Sequence, residues 1–300
     1  MADKDFQAQI DKLISTFIKA ERQNIENTPK FQKWVKSICE PSYKLISNLL
    51  STFLDELTSF EMRENIFKLF TKLYYLNEGD IAPQLINNSD FAKTCVLHIT
   101  KGDKDKLSDN SFYLLTKLFN KENFKNQIDE KFIEALFDGL SIIKDEDILN
   151  EVVRLLIEIS NTYENTSDNL FLKIHKKNRN ARVLDEILLR VLNTSYEIED
   201  KLKVLKCLNE LLNSESTPIF YSSDMESFID ILLSKMQMTD HQEIIKEMTR
   251  CLEKVVGYDE YNSIKYRSDD ISEMMKCITG CPKCIDETKI LGQEVLNKLS

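Results

Sequence analysis

The chain repeats one pattern along its whole length, in which apolar residues recur every three or four positions with polar residues between them. The first such stripe comprises Phe6, Ile10, Leu13, Ile14, Phe17 and Ile18. This spacing places the apolar side chains on one face of an α-helix, and that face packs against other helices. The alternation that is typical of strands never holds for more than a few residues. The pattern therefore predicts an all-α fold.

Breaks between the stripes predict where the helices lie. In the first half, helices are predicted at Asp5–Asn27, from Pro29, from Pro41, from a capping box of Thr58 and Glu61, and at Ile81–Ile86, Phe91–Ile99, Ser111–Phe119 and Glu130–Leu140. In the second half, they are predicted at Asp147–Ile159, Val183–Leu192 and Lys201–Leu212, from capping boxes of Ser223 with Glu226 and Thr239 with Gln242, and at Ser268–Ile278 and Ile285–Leu299. The helix at Asp147–Ile159 is apolar all round, so we expect it to be packed on several sides.

Helix–turn–helix units recur at roughly 35 to 45 residues, the range of armadillo and HEAT repeats. The sequence therefore predicts an armadillo/HEAT-like α-solenoid, with N-terminal helical repeats over residues 1–140 and C-terminal armadillo-type repeats over residues 141–300. We expect the two parts to form one continuous solenoid, which offers an extended concave face rather than a closed pocket. The alternative is an irregular globular helical domain.

Composition supports this interpretation and excludes several classes of protein. Six Gly and five Pro in 300 residues favour long helices with brief connections. A net charge of −10 argues against non-specific binding to nucleic acid, which depends on dense Lys and Arg. Seven cysteines fit a reducing compartment better than a disulfide framework. The N-terminus lacks a signal-peptide pattern, and no apolar run approaches about 20 residues, so we expect a soluble intracellular protein without membrane insertion.

Three cysteines near the end of the chain, Cys277, Cys281 and Cys284, form the pattern C-x3-C-P-K-C. Zinc needs about four thiolate or imidazole ligands, but Cys251 lies about two helices away and no His follows. Redox use of a C-x-x-C pair is typical of a βαβ context, which the surrounding pattern does not show. We therefore expect a helix end with incidental thiols and no metal.

The three histidines provide no catalytic constellation, since His98, His175 and His241 fall in different repeats. We expect His98 to be a packing residue and the other two to lie at the surface. The chain contains no phosphate-binding loop, dinucleotide fingerprint, serine nucleophile elbow or H-E-x-x-H motif. The sequence therefore predicts a binding protein that is not an enzyme and uses no cofactor.

A basic run precedes the helix predicted at Val183 and comprises Lys173, His175, Lys176, Lys177, Arg179 and Arg182. One interpretation is a solvated loop between helices. The other is a contact for an acidic partner, whose attraction would weaken with ionic strength.

Four segments resemble motifs of the WISH/DIP/SPIN proteins. The segment from Ile219 to Leu233, I-F-Y-S-S-D-M-E-S-F-I-D-I-L-L, resembles their hallmark, an aromatic loop that enters an I-D-I-rich helix. Leu149–Ile159, Asn180–Asn193 and Tyr266–Ile271 resemble three further family segments in the same order. The chain departs from the family at two positions. Asn161 follows the segment Leu149–Ile159, where the family typically has Leu-Asn, and Thr194 replaces a basic residue after the segment Asn180–Asn193. The resemblance covers about Asp147 to Leu299, and we expect the chain to represent the helical core without an SH3 domain.

The resemblance implies a function in the cortical actin cytoskeleton of the cytoplasm, including endocytosis. Proteins of this family activate the Arp2/3 complex without a preformed filament, so that linear filaments grow and can seed branched networks. Their armadillo-type groove engages a helix of a small scaffold subunit of the complex, so actin itself is an indirect partner. Positions matched to, or adjoining, family motifs imply six partner-binding residues: Arg190, Asn193, Tyr221, Asp224, Tyr266 and Arg267. The alternative is a generic armadillo scaffold that binds another helical or peptide partner, such as a formin-type regulatory module. Self-association is left open.

Overall fold

The chain divides by its internal contacts into two compact units, residues 1–156 and 157–300. The structure, a computed structural model, describes residues 2–40, 43–55, 57–88, 90–91, 94–95, 114–115, 117–118, 128–141, 143, 146–163, 169–195, 197–213 and 222–300. His98, Tyr221 and most of the helices predicted at Phe91–Ile99 and Ser111–Phe119 lie outside these residues. The predicted division after residue 140 and the continuous solenoid stay predictions.

Six helices of the first unit are described. They are α1 (Ala2–Arg22), α2 (Pro29–Cys39), α3 (Leu45–Leu54), α4 (Phe60–Leu76), α5 (Glu78–Ile86) and α6 (Glu130–Leu140). Helices α1, α2, α3 and α5 all pack against α4. Aromatic rings fill the centre of this packing, where Phe53 contacts Phe67, Phe70 and Phe91 at centroid distances of 5.2 to 6.2 Å. The first unit thus has an aromatic core of its own.

The second unit begins within helix α7 (Glu146–Thr162). Its helices are α8 (Leu170–Lys177), α9 (Ala181–Thr194), α10 (Ile198–Leu212), α11 (Ser222–Met238), α12 (Gln242–Val255), α13 (Asp259–Ile264), α14 (Ser268–Gly280) and α15 (Asp286–Leu299). In α7, the side chains of Val152, Val153, Leu155, Leu156 and Ile159 are buried, as its all-round apolar pattern predicts.

The helices of the second unit stack in two rows. One row contains α10, α12 and α15, and the other contains α9, α11 and α13. Contacts between α9 and α10 and between α11 and α12 join the rows, and α14 packs against α15. Stacking of alternate helices is the arrangement of an α-solenoid, in which each repeat contacts its neighbours. The described part of the chain is helical throughout and contains no strand, so the predicted all-α, armadillo-type class is confirmed.

Three lysine side chains of the second unit connect a repeat to an earlier one. Lys235 on α11 donates to the Asn193 carbonyl at 2.6 Å, 42 positions earlier. Lys254 on α12 donates to the Asn209 carbonyl at 2.8 Å, and Lys298 on α15 donates to the Glu253 carbonyl at 2.9 Å, each 45 positions earlier. Each acceptor lies in the last turn of its helix, where carbonyl groups have no partner within the helix. These lysines therefore cap the preceding repeat at the repeat length that the sequence predicts.

The predicted start of α4 is wrong by one residue. The N-cap is Ser59, whose hydroxyl accepts a hydrogen bond from the Met62 amide at 3.3 Å. The Thr58 hydroxyl instead donates to the Thr52 carbonyl at 2.6 Å, which closes the preceding loop. Ser and Thr are both good N-cap residues, so adjacent copies leave the choice to the loop geometry.

The other two capping boxes are also not formed. Helix α11 already begins at Ser222, so Ser223 lies inside its first turn and is not its cap. Helix α12 begins at Gln242 with His241 as its N-cap. The Thr239 hydroxyl accepts a hydrogen bond from the His241 amide at 3.2 Å, which turns the chain before the helix begins.

His175 is not a surface residue, and that prediction is wrong. Its Nε2 lies 2.8 Å from a carboxylate oxygen of Asp185, and the two side chains are only 11% and 8% exposed. Burial raises the pKa of Asp185, while the hydrogen bond to His175 opposes that rise. The pair joins α8 to α9. His241 is half-buried as well.

The hydroxyl of Tyr258 provides a simple test of coupling between repeats. It donates to the Leu212 carbonyl at the end of α10 at 2.6 Å. We expect Tyr258→Phe to lower the free energy of unfolding by about 1 kcal/mol, because the carbonyl loses its partner. Urea denaturation followed by circular dichroism measures this loss. Tyr75→Phe is the control, since Tyr75 is 74% exposed. An equal change in both variants would contradict the assignment.

The buried Asp185 predicts a pH effect on stability. Its folded-state pKa is raised, so its contribution to stability is greatest at low pH and falls as pH rises through that pKa. We expect Asp185→Asn, which cannot ionise, to become more stable relative to the unsubstituted protein between about pH 4 and about pH 7. Urea denaturation at both pH values measures the difference. The control is Glu186→Gln, at a side chain that is 59% exposed. A difference that does not change with pH would refute the prediction.

Candidate partner-binding groove

A groove of about 520 Å³ runs along the row formed by α10, α12 and α15. Its lining is almost entirely polar and consists of Lys206, Asn209, Glu210, Asn213, Glu243, Lys246, Glu247, Arg250, Glu253, Lys254 and Leu291. Four of these side chains are basic and four are acidic, so the charges of the lining balance. An open polar groove of this kind suits an extended or helical protein partner better than a small apolar ligand.

The sequence of α12 explains why the groove is polar. One face of this helix is buried and carries Ile244, Ile245, Met248, Cys251, Leu252 and Val255. The charged residues recur at the same helical spacing on the other face and line the groove: Glu243, Lys246, Glu247, Arg250, Glu253 and Lys254. Sequence reasoning named none of these residues as functional. The available signal was a stripe of alternating charge on a predicted helix, a pattern that solvent-exposed helices also show.

Arg250 lies at the centre of a charge network between two helices. Its guanidinium contacts the Glu247 carboxylate at 2.9 Å on α12 and the Glu287 carboxylate at 2.8 Å on α15. Lys246 reaches the same Glu287 at 3.6 Å and pairs with Glu243 at 2.6 Å. The hydrogen bond within this second pair raises the pKa of Lys246 and lowers that of Glu243. The network orients the charged side chains along one wall of the groove.

Asn209 fixes the floor of the groove. Its amide nitrogen donates to the Glu247 carboxylate at 2.9 Å and to the Glu247 carbonyl at 3.1 Å. Glu247 is only 2% exposed and Asn209 only 4% exposed. A buried carboxylate is tolerated only when it is paired and hydrogen-bonded, and Asn209 and Arg250 together satisfy it. The floor is therefore rigid before any partner binds.

The polar lining of the groove determines what it can bind. Within the described residues, no three His, Cys, Asp or Glu side chains are placed to hold a metal ion. Neither is any helix of the described chain both long enough and apolar enough to cross a membrane. The groove instead presents fixed charges and hydrogen-bonding groups. A partner would be recognised by matching polar groups at helical or extended spacing.

Of the residues predicted from the sequence, Tyr266 and Arg267 are brought together on one acidic residue of α11. The Tyr266 hydroxyl donates to Asp230 at 3.1 Å, and this hydrogen bond raises the pKa of Tyr266. Arg267 contacts Asp230 at 2.7 Å and Asp270 at 2.7 Å, and these carboxylates raise the pKa of its guanidinium. The backbone at Lys265 and Arg267 is left-handed, with φ of 47° and 51°. The contacts to Asp230 hold this strained turn in place.

Three of the other predicted residues lie on α9 and α11, the row of helices that also carries Asp230. Arg190 and Asn193 are exposed on α9, and Asp224 is half-buried in the first turn of α11. Asp224 faces Arg182 at 3.8 Å, so part of the basic run meets an acidic group of this chain. Tyr221 lies outside the described residues. None of the five predicted residues that the structure describes lines the groove on α10, α12 and α15. The second unit thus has two candidate surfaces, and the sequence pointed to the one outside the groove.

Comparisons with known proteins show what the chain is similar to. Two designed or engineered proteins resemble the chain in structure. One is an engineered protein from the Northeast Structural Genomics Consortium, with 16% identity, a TM-score of 0.47, and coverage of 85% of this chain and 96% of that one. The other is the designed armadillo repeat protein YIII(Dq)4CqI, with 11% identity, a TM-score of 0.47, and coverage of 84% and 99%.

The sequence comparisons are more specific. No curated protein sequence matches the chain. Residues 145–271 match the model of the SPIN90/Ldb17 leucine-rich domain. This match extends from α7 into the start of α14. It includes helices α10 and α12 of the groove, and all four of the sequence segments that resemble family motifs. Residues 145–271 are therefore similar to the leucine-rich domain of the SPIN90/Ldb17 family, a family linked to actin regulation.

Proposed function

We propose that this protein binds and activates the Arp2/3 complex without a preformed filament, so that linear actin filaments form and can seed branched networks. The observation that carries the proposal is the match of residues 145–271 to the SPIN90/Ldb17 leucine-rich domain. The groove supports it, because a polar groove along stacked helices suits a helix of another protein. The proposed location is the cortical actin cytoskeleton of the cytoplasm, including sites of endocytosis.

The proposed mechanism is a population shift with no catalytic step. An activator that binds the filament-like arrangement of the two actin-related subunits more tightly than the inactive one raises the population of the active form. A tenfold difference in affinity between the two forms corresponds to about 1.4 kcal/mol. The rigid floor at Asn209 and Glu247 serves this mechanism, since a preorganised groove loses little conformational freedom when it grips a helix of a small scaffold subunit.

Actin assembly with purified components tests the proposal directly. We expect the protein to accelerate the assembly of pyrene-labelled actin by Arp2/3 complex in the absence of seed filaments and of a VCA-type activator. Fluorescence microscopy should show unbranched filaments. If filaments form only when a VCA-type activator is added, or do not form, the proposal fails. Binding of a formin-type module or another helical peptide would then favour the generic armadillo scaffold.

Charge reversal in the groove identifies the docking surface. Lys206 and Lys246 line the groove and are only partly exposed. We expect the double variant Lys206→Glu, Lys246→Glu to bind Arp2/3 complex at least about tenfold more weakly, because two cations facing the partner become anions. Lys276→Glu is the control, since this exposed lysine lies on α14 away from the groove lining. Circular dichroism checks that both variants fold. Equal affinities for the variant and its control would exclude the groove.

The residues implied by the family motifs form a second proposed contact. We expect Arg190→Glu to weaken binding without unfolding the protein, because Arg190 is exposed on α9. Arg267→Glu is the less direct probe, since it also breaks the ion pairs with Asp230 and Asp270. Affinity is measured by pull-down at several protein concentrations. An unchanged affinity in Arg190→Glu would remove this residue from the interface.

A further inference from the structure

Two cysteines flank the turn between α14 and α15. Cys281 ends α14, Pro282 and Lys283 form the turn, and Cys284 precedes α15. We infer that Cys281 and Cys284 form a reversible intramolecular disulfide, which makes this turn a site of thiol oxidation. The inference does not depend on the proposed function.

The turn already has the geometry that a disulfide needs. The Cys284 amide donates to the Cys281 carbonyl at 3.3 Å, which is the hydrogen bond of a β-turn. A β-turn holds its first and last Cα atoms within about 7 Å, and a disulfide joins Cα atoms roughly 4.4 to 6.8 Å apart. Proline is favoured at the second position of such a turn because its φ is already fixed. The bond can therefore form with little movement of the helices.

The two thiols differ in the way that a reactive pair requires. Cys281 is half-buried, whereas Cys284 is only 8% exposed. Backbone amides of Lys283 and Cys284 donate to the Cys281 sulfur and, together with the Cys284 thiol, lower its pKa. Burial raises the pKa of Cys284. A more ionised, accessible thiol beside a protected one is the arrangement of an attacking and a resolving cysteine.

Other cysteines of the chain lack this environment. Cys39, Cys95, Cys207 and Cys251 are buried, and burial raises the pKa of each, to about 11 for Cys39 and about 12 for Cys207. The thiolate is the reactive form, so these four resist oxidation. Cys277 is exposed one helical turn before Cys281 and provides an internal comparison. The sequence alone predicts that Cys281 and Cys284 are incidental thiols, because the β-turn that brings them close is visible only in the structure.

The oxidation needs a hydroperoxide as the oxidant. The Cys281 thiolate attacks one peroxide oxygen, the O–O bond breaks, and the leaving oxygen takes a proton and departs as water or an alcohol. Cys281 is now a sulfenic acid. The Cys284 sulfur then attacks the Cys281 sulfur, the S–O bond breaks, and the oxygen leaves as water with the proton from the Cys284 thiol. A dithiol reductant returns both cysteines to thiols by exchange.

The disulfide would fasten one end of the groove. Directly after the turn, the Ile285 amide donates to the Gln242 side chain at 3.3 Å on α12. Two residues later, Glu287 contacts Arg250 at 2.8 Å in the groove wall. Oxidation thus fixes the segment that positions Glu287, while reduction leaves the turn held by hydrogen bonds alone.

Peptide mapping tests the inference on the purified full-length chain. The protein is treated with hydrogen peroxide, alkylated and digested with trypsin. We expect the peptide Cys277–Lys283 to be joined to Cys284–Lys289 with the loss of two hydrogens, and dithiothreitol to separate them. In the reduced protein, we expect iodoacetamide to modify Cys281 faster than Cys277. Failure to find the joined peptides, with all thiols still open to alkylation, overturns the inference.

Three serine variants assign the bond, because Cys277 and Cys281 lie on the same peptide. The linkage should persist in Cys277→Ser and disappear in Cys281→Ser and in Cys284→Ser. Circular dichroism confirms that each variant folds. A linkage that disappears in Cys277→Ser, a bond between two molecules, or oxidation of Cys281 to the sulfinic acid with Cys284 still free would each overturn the assignment.

Discussion

The packing of α12 between α10 and α15 is the interaction on which the second unit depends. The buried side of α12 contributes the apolar core, and its other side carries the charges that line the groove. Both sides need the neighbouring helices to be in register. Asn209 contacts Glu247 only if α10 is correctly placed, and Arg250 contacts Glu287 only if α15 is. Burying Glu247 would be costly without both partners. Folding of the stack and formation of the groove are therefore the same event.

The two rows of helices have different functions in this arrangement. The row of α10, α12 and α15 presents fixed, balanced charges along a continuous groove. On the other row, Tyr266 and Arg267 contact Asp230 on α11. These contacts connect the last repeats through residues that do not line the groove. A residue that holds repeats together can be shared within a family for that reason alone. Family-motif positions thus indicate the similarity to the family more securely than they locate a binding surface.

Much of this fold can be predicted from the sequence, because helical periodicity is a local signal. The stripes at Val183–Leu192 and Lys201–Leu212 predict α9 and α10 to within a few residues at each end. The N-cap residues were harder to predict, since Thr58 and Ser59 are both good N-cap residues and the loop geometry decides which of them caps α4. The contacts of His175 were not predictable, because its partner lies on the next helix. The residues that line the groove were not predicted for the same reason. They come from helices separated by one repeat length, and a charged stripe on one helix does not show which other helices pack beside it.

The lysine contacts between repeats have a directional consequence. In each case, the ammonium group belongs to the later repeat and the carbonyl belongs to the earlier one. A cation at a helix C-terminus also compensates the negative end of the helix dipole. In these three contacts, the C-terminal carbonyl of a helix is thus capped by a lysine of the following repeat and not by one of the preceding repeat. Loss of order at the α15 end removes the cap from α12, whereas loss of order at α9 leaves the caps of α10 and α12 intact. These three caps therefore give the stack a direction, since each runs from a later repeat to an earlier one.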